Sequence, residues 1–512
     1  MTTSLTESTV TLTPGLITPG VGAVADPTRT PTRTTSAVDK LDARTAMLAR
    51  AGRGDYWRWL AHIQTAAACT HPIRLAGTVH TVDTRTGELV DSRPTADMPD
   101  AVIYKACGNR RASVCPACAE VYRADAYQLV LAGLRGGKGI PETVAGHPAV
   151  FATLTAPSFG LVHSQRRRNP DAGARPCRPR RTPERCPHGR DLTCRRTHGD
   201  DDPALGKPLC LDCYDHVGQV VWNASASELW RRTTIAVNRS LTRHARSHGG
   251  RVRVSFGKVA EYQKRGVVHY HALIRLDGLD PDDKDRVVAP PDWASVFVLA
   301  HAVTEAIGQT AFCTAPHPEQ PEGWTIGWGD PGKAADVRPV RAAADHPITR
   351  EAVAAYLAKY ATKSTEATGH LSTRITPATI GVYADDSHTG RLIDAAWTLG
   401  LDAEHRGLRR WAHTLGYGGH FFTKSRRYTC TFTAERARRI AWRRNRAAAS
   451  RLERAGAVDL VDEHDQQTTD VLTELTYVGI GWHTTADALL ANTAAAMARE
   501  KRLAARDVAR TA

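Results

Sequence analysis

Two histidines, His269 and His271, stand two positions apart in the segment V-V-H-Y-H-A-L-I-R-L. Alternate residues of a β-strand point to the same face, so both imidazoles are expected on one side of a strand. Imidazole is the commonest protein ligand of divalent transition metals. A turn at Gly266 folds the preceding strand back, and this would bring either the carboxylate of Glu261 or the amide of Gln263 beside the histidines as a third ligand.

Three ligands leave coordination positions open, as required of a metal ion that polarises a substrate oxygen. The alternative interpretation is a half-buried strand that exposes two histidines without binding a metal. The other face of the strand is almost entirely apolar and predicts a packed core beneath the site; it consists of Val268, Tyr270, Ala272, Ile274 and Leu276.

A second candidate for chemistry is the pair of tyrosines Tyr356 and Tyr360, which are four positions apart. On a helix they share one face, and each is followed three residues later by a lysine, Lys359 or Lys363. An ammonium group near a phenol favours the phenolate and can also neutralise phosphate charge. A tyrosine oxygen can attack phosphorus and keep the cleaved strand covalently attached. The alternative interpretation is a pair of core aromatic residues.

The first group of cysteines indicates a structural zinc site. Cys115 and Cys118 form a C-x-x-C pair, whose two thiolates can grip one zinc ion from a tight turn. Cys107 is the expected third ligand, and Cys69 is the expected fourth. The alternative is that these thiols are small buried hydrophobic side chains.

A second C-x-x-C pair, Cys210 and Cys213, predicts another closed zinc site. Its remaining ligands are expected to be Cys186 and Cys194, and two further residues, His188 and Cys177, are possible substitutes. The chain contains eleven cysteines, and their paired spacing favours zinc thiolates in a reducing compartment over disulfides.

Length and charge narrow the class of partner. The chain has 512 residues, enough for two to four domains, and a formal net charge of +15. Such a charge indicates a polyanionic partner, because Lys and Arg release counterions from phosphate backbones. We find no apolar run long enough to span a membrane and no signal peptide, so the expected location is the cytoplasm.

The elements that must position these side chains are predicted from periodicity and turn residues. Thr349 is a good N-cap for a helix over 350–363 that carries the tyrosines. A strand is expected over Ala149–Thr155, a helix over Trp222–Leu241, and a strand over Val252–Phe256 that begins the histidine hairpin.

Basic segments flank this region. An arginine-rich, proline-broken stretch over 166–181 is expected to be a flexible loop that contacts phosphates. Basic and aromatic residues alternate over 418–428, which is typical either of a single-strand binder or of a sheet edge with solvated charges. A helix over Glu435–Arg454 is expected to contact duplex DNA, because its dense arginine surface repels itself without an anionic partner. The arginines that cover much of its surface are Arg436, Arg438, Arg439, Arg443, Arg444 and Arg446.

Three motifs in this order resemble those of the HUH endonucleases, and specifically the rolling-circle replication initiators of actinomycete plasmids. They are the strand Phe151–Thr155, then His269-Tyr-His271, then Tyr356-Leu-Ala-Lys359-Tyr360-Ala-Thr-Lys363. The resemblance extends from about Cys69 to Arg444 and includes both cysteine groups. The first motif is loose, whereas the histidine strand followed by the tyrosine helix is specific.

The resemblance implies a nick at a plasmid origin. The two histidines and an upstream acidic residue, matched here by Glu261 with Gln263 as the alternative, would hold Mg²⁺ or Mn²⁺. A tyrosine would displace the 3′-hydroxyl and form a 5′-phosphotyrosine link, while a host polymerase extends the free 3′ end. The implied partners are double- and single-stranded origin DNA, a host helicase and a polymerase.

The motifs leave the order of the tyrosines open. The spacing of viral initiators favours Tyr356 as the nucleophile, whereas the Ala-Lys-Tyr string of plasmid initiators favours Tyr360. We expect Tyr360 to attack first and Tyr356 to act in termination or to assist. Two other functions compete with this one: a relaxase or transposase with the same core, and a non-enzymatic zinc-dependent DNA-binding regulator.

The expected fold class is α+β, an HUH-type antiparallel sheet backed by helices with inserted zinc-binding modules. We predict a disordered segment over 1–39, a helical and zinc-binding region over 40–148, and an endonuclease domain over 149–400 with its zinc insertion at about 163–220. A basic DNA-contacting region over 401–460 and a C-terminal linker and helix over 461–512 complete the chain.

Overall fold

The computed structural model describes residues 37–166, 173, 175–182, 184–329, 335–340, 349–363, 373–442 and 469–511. The predicted disordered segment therefore lies almost wholly outside the described residues. The helices are α1 (Ala37–Ala51), α2 (Tyr56–Ile63), α3 (Pro116–Arg135), α4 (His216–His248), α5 (Val296–Gln309), α6 (Arg350–Tyr360), α7 (Ile380–Tyr383), α8 (His388–Leu399), α9 (Gly407–Arg410), α10 (described over 432–442) and α11 (Thr485–Thr511). The strands are β1 (Ile73–Asp83), β2 (Leu89–Pro94), β3 (Ile103–Lys105), β4 (Ala149–Leu154), β5 (Val252–Tyr262), β6 (Val268–Leu279), β7 (Val287–Val288), β8 (Ala311–Cys313), β9 (Thr325–Gly327), β10 (Ala335–Pro339), β11 (Phe422–Lys424) and β12 (Thr469–Ile480).

The predicted histidine hairpin forms the centre of a six-stranded antiparallel sheet. Strands β5 and β6 pair along their whole length, with Glu261 opposite His269 and Val259 opposite His271. Gly266 closes the turn between them at φ +78°, a conformation that L side chains rarely adopt. The hairpin and its tight turn are therefore confirmed.

Sheet order places the first motif next to the histidines. The strands run β10-β4-β6-β5-β11, and β7 adds to the end of β6. Thr153 of β4 lies opposite His271, so the residues of β4 and β6 on this face are direct neighbours. The strand predicted over Ala149–Thr155 is confirmed as β4, one residue shorter at its end.

The two faces of this sheet are covered by different helices. The apolar face of β6 is at most 3% exposed and packs against α4 and α5, as the alternation predicted. On the other face, Val259 and Leu273 are fully buried against α3 and α6. Burying an apolar side chain of this size contributes about 1.5–3 kcal/mol to stability, so the packing on both faces of the sheet stabilises the fold. The histidines share the face that α3 and α6 cover.

Helix α6 begins where its sequence predicted. The hydroxyl of Thr349 accepts a hydrogen bond from the backbone N–H of Ala352 at 3.1 Å and caps the first turn. The helix ends at Tyr360 rather than at Lys363, and the last residues form a turn. Its buried side packs against α3 and the sheet, which fixes the rotation of the helix about its own axis; it consists of Val353, Ala354, Leu357 and Ala358.

A separate four-stranded sheet joins two distant parts of the chain. Strand β1 is central and pairs with β2, β3 and β12, all antiparallel. The C-terminal region was predicted to be a linker and a helix only, so β12 is a correction. Its side chains are mostly exposed, and the usual alternation of buried and exposed residues is absent from this strand. The final helix is confirmed as α11, which packs with α2 around Trp59, Ile63 and Ala491.

The observed fold is a mixture of helices and antiparallel sheets, which agrees with the predicted α+β class. Between β4 and α4, the described residues form turns and isolated bridges rather than helices or strands. No helix in the described part of the chain is long and apolar enough to cross a membrane.

Candidate metal and tyrosine site

Three side chains of the hairpin converge on one point. One oxygen of Glu261, Oε2, lies 3.1 Å from Nε2 of His269 and 3.2 Å from Nε2 of His271. The two imidazole rings are 4.5 Å apart between centroids, and one ligand atom from each of the three residues lies within 4.8 Å of the others. The structure thus brings together the predicted ligand set Glu261, His269 and His271.

Neighbouring polar groups hold the outer nitrogen of each imidazole. The amide of Gln263 contacts Nδ1 of His269 at 3.2 Å, and Thr153 Oγ1 contacts Nδ1 of His271 at 3.1 Å. Such contacts fix the orientation of the two rings, and both inner Nε2 atoms lie beside the same carboxylate oxygen of Glu261. Gln263, the alternative third ligand, lies on the outer side of His269 in this arrangement. Thr153 was not singled out by sequence reasoning.

The protonation states of Glu261 and His271 favour the binding of a cation. Burial alone would raise the pKa of Glu261, but hydrogen bonds from His269 and His271 and the charge of Lys363 bring it to about 2. Burial lowers the pKa of His271, because a charged imidazole is poorly solvated there. At neutral pH Glu261 is therefore a carboxylate and His271 is a neutral imidazole, the forms that bind metals.

Both tyrosines of α6 face this cluster. The hydroxyl of Tyr356 lies 3.3 Å from Nε2 of His271, and the two tyrosine rings are 4.5 Å apart. The Tyr360 ring lies 5.6 Å from that of His271, while Phe151 packs edge-on against Tyr356. Four-residue spacing on one helix therefore does place both tyrosine rings beside His271.

The two lysines differ in their relation to the site. Lys363 Nζ lies 4.4 Å from the centre of the Tyr360 ring and 3.5 Å from Oε1 of Glu261. Lys359 Nζ is farther out, 5.7 Å from the same ring. Burial and the charge of Glu261 raise the pKa of Tyr360, so positive charge is needed nearby to favour its phenolate. Lys363 is the better placed of the two to supply it.

The first cysteine group assembles as predicted. Sulfur atoms of Cys107 and Cys118 are 3.6 Å apart, and those of Cys115 and Cys69 are 3.8 Å apart. Two sulfurs bound to one tetrahedral zinc ion lie about 3.8 Å apart, given a Zn–S bond of about 2.3 Å. All four cysteines are free, and the donor set fits a closed structural zinc site.

The second cysteine group needs a correction. The structure collects Cys186, His188, Cys210 and Cys213, with Nδ1 of His188 3.2 Å from the sulfur of Cys213. Cys194 is not among them, because its backbone pairs with Arg178 and this carries its thiol to Cys177. His188, one of the two possible substitutes, occupies the position that had been predicted for Cys194.

Comparisons with known proteins identify the family of this chain. Residues 55–496 match the family described as "Replication initiator protein, pSAM2". A protein of Streptomyces ambofaciens named "Replication initiator protein" is 40% identical over 473 residues, which cover 91% of this chain and 95% of the relative. The chain belongs to this replication initiator family. No solved structure matches it.

In this family member, the predicted DNA-contacting segments make many internal contacts. Strand β11 pairs with β5 at the sheet edge, and Tyr428 is fully buried, so this stretch is built as a sheet edge. Arg436 and Arg439 of α10 both pair with the buried carboxylate of Asp125. These two arginines therefore have an internal anion. Arg443, Arg444 and Arg446 lie outside the described residues, and contact of this region with DNA stays a prediction.

Arg110 is a residue of the initiator that sequence reasoning missed. It lies between Cys107 and Cys115, and its guanidinium donates to the carbonyls of Ala361 at 3.2 Å and Lys363 at 2.6 Å. It also stacks 3.8 Å from the centre of the Phe421 ring. A cation at a helix C-terminus satisfies carbonyls that lack partners within the helix. The loop between Cys107 and Cys115 thereby contacts the end of the helix that carries the tyrosines.

Arg110→Ala tests this contact through the tyrosine-dependent DNA cleavage proposed below, and we expect it to slow that cleavage without weakening metal binding. Hydrogen bonds from a charged donor contribute about 1.5–3 kcal/mol, so the rate at saturating DNA should fall about 10- to 100-fold. Single-turnover kinetics on single-stranded DNA and Mn²⁺ titration measure the two quantities. Arg123→Ala, at an exposed position on α3, is the control. A change in Mn²⁺ affinity with an unchanged rate would contradict this role.

Proposed function

We propose that this replication initiator is a metal-dependent endonuclease and strand transferase of the HUH class. In this proposal it binds a plasmid origin, nicks one strand through a 5′-phosphotyrosine intermediate and later rejoins the displaced strand. The observation that carries the proposal is the position of two phenols, Tyr356 and Tyr360, against the cluster of Glu261, His269 and His271.

Glu261, His269 and His271 would hold Mg²⁺ or Mn²⁺, which polarises the scissile phosphate when bound. Glu261 and His269 are each about one-seventh exposed, so the cluster is open on the side away from the sheet core. The inner nitrogens and one carboxylate oxygen converge while the outer nitrogens are engaged, and this fits a site with three protein ligands and room for substrate.

Tyr360 is proposed as the first nucleophile. Its phenol oxygen forms a bond to phosphorus, and the bond from phosphorus to the 3′-oxygen breaks. The tyrosine proton is lost to solvent, and the departing 3′-oxygen takes up a proton to become the free 3′-hydroxyl. Lys363 beside the ring favours the phenolate. Because the phosphotyrosine link preserves the phosphodiester energy, a later 3′-hydroxyl can reverse the exchange and close the strand.

Tyr356 is proposed to act in the second strand transfer. The rings of Tyr356 and Tyr360 lie 4.5 Å apart between centroids. While Tyr360 holds the first 5′ end, the free hydroxyl of Tyr356 can attack the origin that replication regenerates. The partners that follow are double- and single-stranded origin DNA, with host polymerase and helicase acting on the nicked plasmid. The name of the Streptomyces relative favours replication over conjugative transfer or transposition.

The two zinc groups predicted from C-x-x-C pairs are proposed to be structural. The zinc ligands around Cys115 would hold the loop that contains Arg110 against α6. The zinc ligands around Cys213 would stabilise the fold of the insertion. Asp212, next to that thiol, pairs with Arg391 of α8 at 2.7 Å. Four protein ligands leave no water for activation, so neither group is given a catalytic role.

The decisive test is whether the protein forms a covalent adduct with origin DNA. Full-length protein is incubated with a labelled single strand carrying the origin nick site, with Mn²⁺, Mg²⁺ or EDTA. We expect a metal-dependent adduct that survives denaturation. Trypsin cleaves after Lys359, between the two tyrosines, so mass spectrometry of the modified peptide assigns the nucleophile directly. Absence of an adduct on a verified origin with either metal would exclude the enzyme and leave a DNA-binding regulator.

A further inference from the structure

One cluster of side chains that can bind metal lies outside the hairpin site and outside the two cysteine groups that assemble around Cys115 and Cys213. His163, Cys177, Cys194 and His198 lie in the insertion between β4 and α4, and their ligand atoms are all within 4.8 Å of one another. These residues have no C-x-x-C or H-x-x-x-H spacing as a set. Only the folded insertion brings them together.

The backbone of the insertion fixes the two thiols. Arg178 and Cys194 exchange two backbone hydrogen bonds of 2.7 and 3.1 Å, and the N–H of Cys177 donates to the carbonyl of Arg196 at 2.9 Å. Cys177 is fully buried, and Cys194 is 7% exposed. The thiols therefore belong to adjacent extended segments of a small module whose described residues form no apolar core of their own.

The imidazoles complete a four-ligand set. Nε2 of His198 lies 3.5 Å from the sulfur of Cys194, and the rings of His163 and His198 are 5.0 Å apart at 77°. For a tetrahedral zinc ion with bonds of about 2.0 Å to nitrogen and 2.3 Å to sulfur, the nitrogen and sulfur ligands lie about 3.5 Å apart. The observed separation matches this value.

Two further contacts distinguish the cluster from ordinary packing. Asp202 Oδ2 lies 2.7 Å from Nδ1 of His198, which places the proton on Nδ1 and leaves the lone pair of Nε2 directed at Cys194. A carboxylate behind a histidine in this way is typical of zinc sites. Nδ1 of His163 is buried and has no hydrogen-bond partner among the described residues. A buried nitrogen without a partner is costly unless a ligand occupies it.

We propose that His163, Cys177, Cys194 and His198 bind a third structural Zn²⁺ ion, with two thiolates and two imidazoles as ligands. The chain would then hold three structural zinc ions, two of them within one insertion. A metal ion gives this module the stability that a small coreless segment otherwise lacks.

The third site would hold the loop over 198–206 against the histidine hairpin. Lys264 Nζ donates to the carbonyl of Asp200, and a Cβ added at Gly206 would lie 2.4 Å from the backbone carbon of Lys264. The adjoining residue of the hairpin turn, Gln263, contacts His269. The zinc site stands independently of the proposed function, and only an effect on His269 depends on it.

Zinc counting tests the site without any nicking assay. The full chain carrying His269→Ala and His271→Ala, so that zinc in the hairpin is not counted, is purified and its metal content is measured by mass spectrometry. We expect three zinc ions per chain. Adding Cys177→Ser and Cys194→Ser should leave two, whereas adding Cys313→Ser, an exposed cysteine outside the clusters, should leave three. Two zinc ions in the starting protein would overturn the proposal.

A milder variant covers the case in which losing both thiols prevents folding. Asp202→Asn keeps all four ligands but weakens the support behind His198, and such changes typically cost about 10- to 100-fold in metal affinity. We expect a chelator to remove one of the three zinc ions at a concentration about 10- to 100-fold lower than from the protein without this substitution. The other two ions should be released at unchanged chelator concentrations. Unchanged release of all three ions would count against the site.

Discussion

Replacing both Tyr356 and Tyr360 with Phe is expected to abolish covalent attachment of the initiator to origin DNA. Phe keeps the ring packing on α6 but lacks the oxygen that attacks phosphorus. The centroids of the two rings lie 4.5 Å apart and both rings lie beside His271, so either tyrosine is a candidate for the proposed attack. Replacing both therefore removes both of the proposed nucleophiles. Denaturing gels of the labelled strand measure the adduct.

The single variants separate the two roles. Tyr360→Phe is expected to remove most of the first cleavage and leave a minor adduct through Tyr356. Tyr356→Phe should cleave normally but fail to release a closed single-stranded circle during plasmid replication. Tyr477→Phe, an exposed tyrosine on β12, is the matched control and should behave as wild type. An undiminished adduct in the double variant would refute the assignment of both residues.

His271→Ala is expected to reduce the rate of the proposed cleavage by on the order of 10³-fold, because it would remove a ligand of the metal ion that is proposed to stabilise the transition state by several kcal/mol. The loss should be large for a structural reason as well. The ring of His271 also packs edge-on against that of Tyr356, with centroids 4.9 Å apart, so its loss leaves this tyrosine less well positioned. Single-turnover cleavage with Mn²⁺ measures the rate.

DNA binding and metal binding distinguish this loss from unfolding. His271→Ala should retain its affinity for single-stranded origin DNA in EDTA while its affinity for Mn²⁺ falls. Glu261→Gln should show the same pattern, since the amide keeps the shape of the side chain but not its charge. His248→Ala, an exposed histidine at the end of α4, is the control. Equal cleavage by wild type and His271→Ala would exclude the histidine pair from catalysis.

Local patterns were sufficient for the parts of the site that lie on single elements. Alternation along β6 separated the histidine face from the apolar face, and the Thr349 cap with helical spacing placed both tyrosines on one side of α6. These signals are physical consequences of strand and helix geometry, so they can be read without knowing what packs against the element. The C-x-x-C pairs are local signals of the same kind.

Contacts between distant segments could not be predicted in this way. Cys194 was predicted to lie with Cys210 and Cys213 but lies with Cys177, because the spacing of cysteines does not reveal which backbone segments run side by side. Arg110 reaches α6 across 251 positions of sequence, and a lone arginine carries no mark of such a contact. His163 and His198 likewise look like isolated polar residues until the insertion folds. In each case the missing information was the tertiary arrangement rather than the chemistry of the residue.

The sheet that joins β1 to β12 has a consequence for synthesis of the protein. Thr78 pairs with Glu474, so the ribosome must complete almost the whole chain before this sheet can close. At roughly 5–20 residues per second, the interval is about 20–80 s. During that time the nascent chain presents an 11-residue strand with one edge unpaired, which is a site for chaperone binding or for mispairing with another chain.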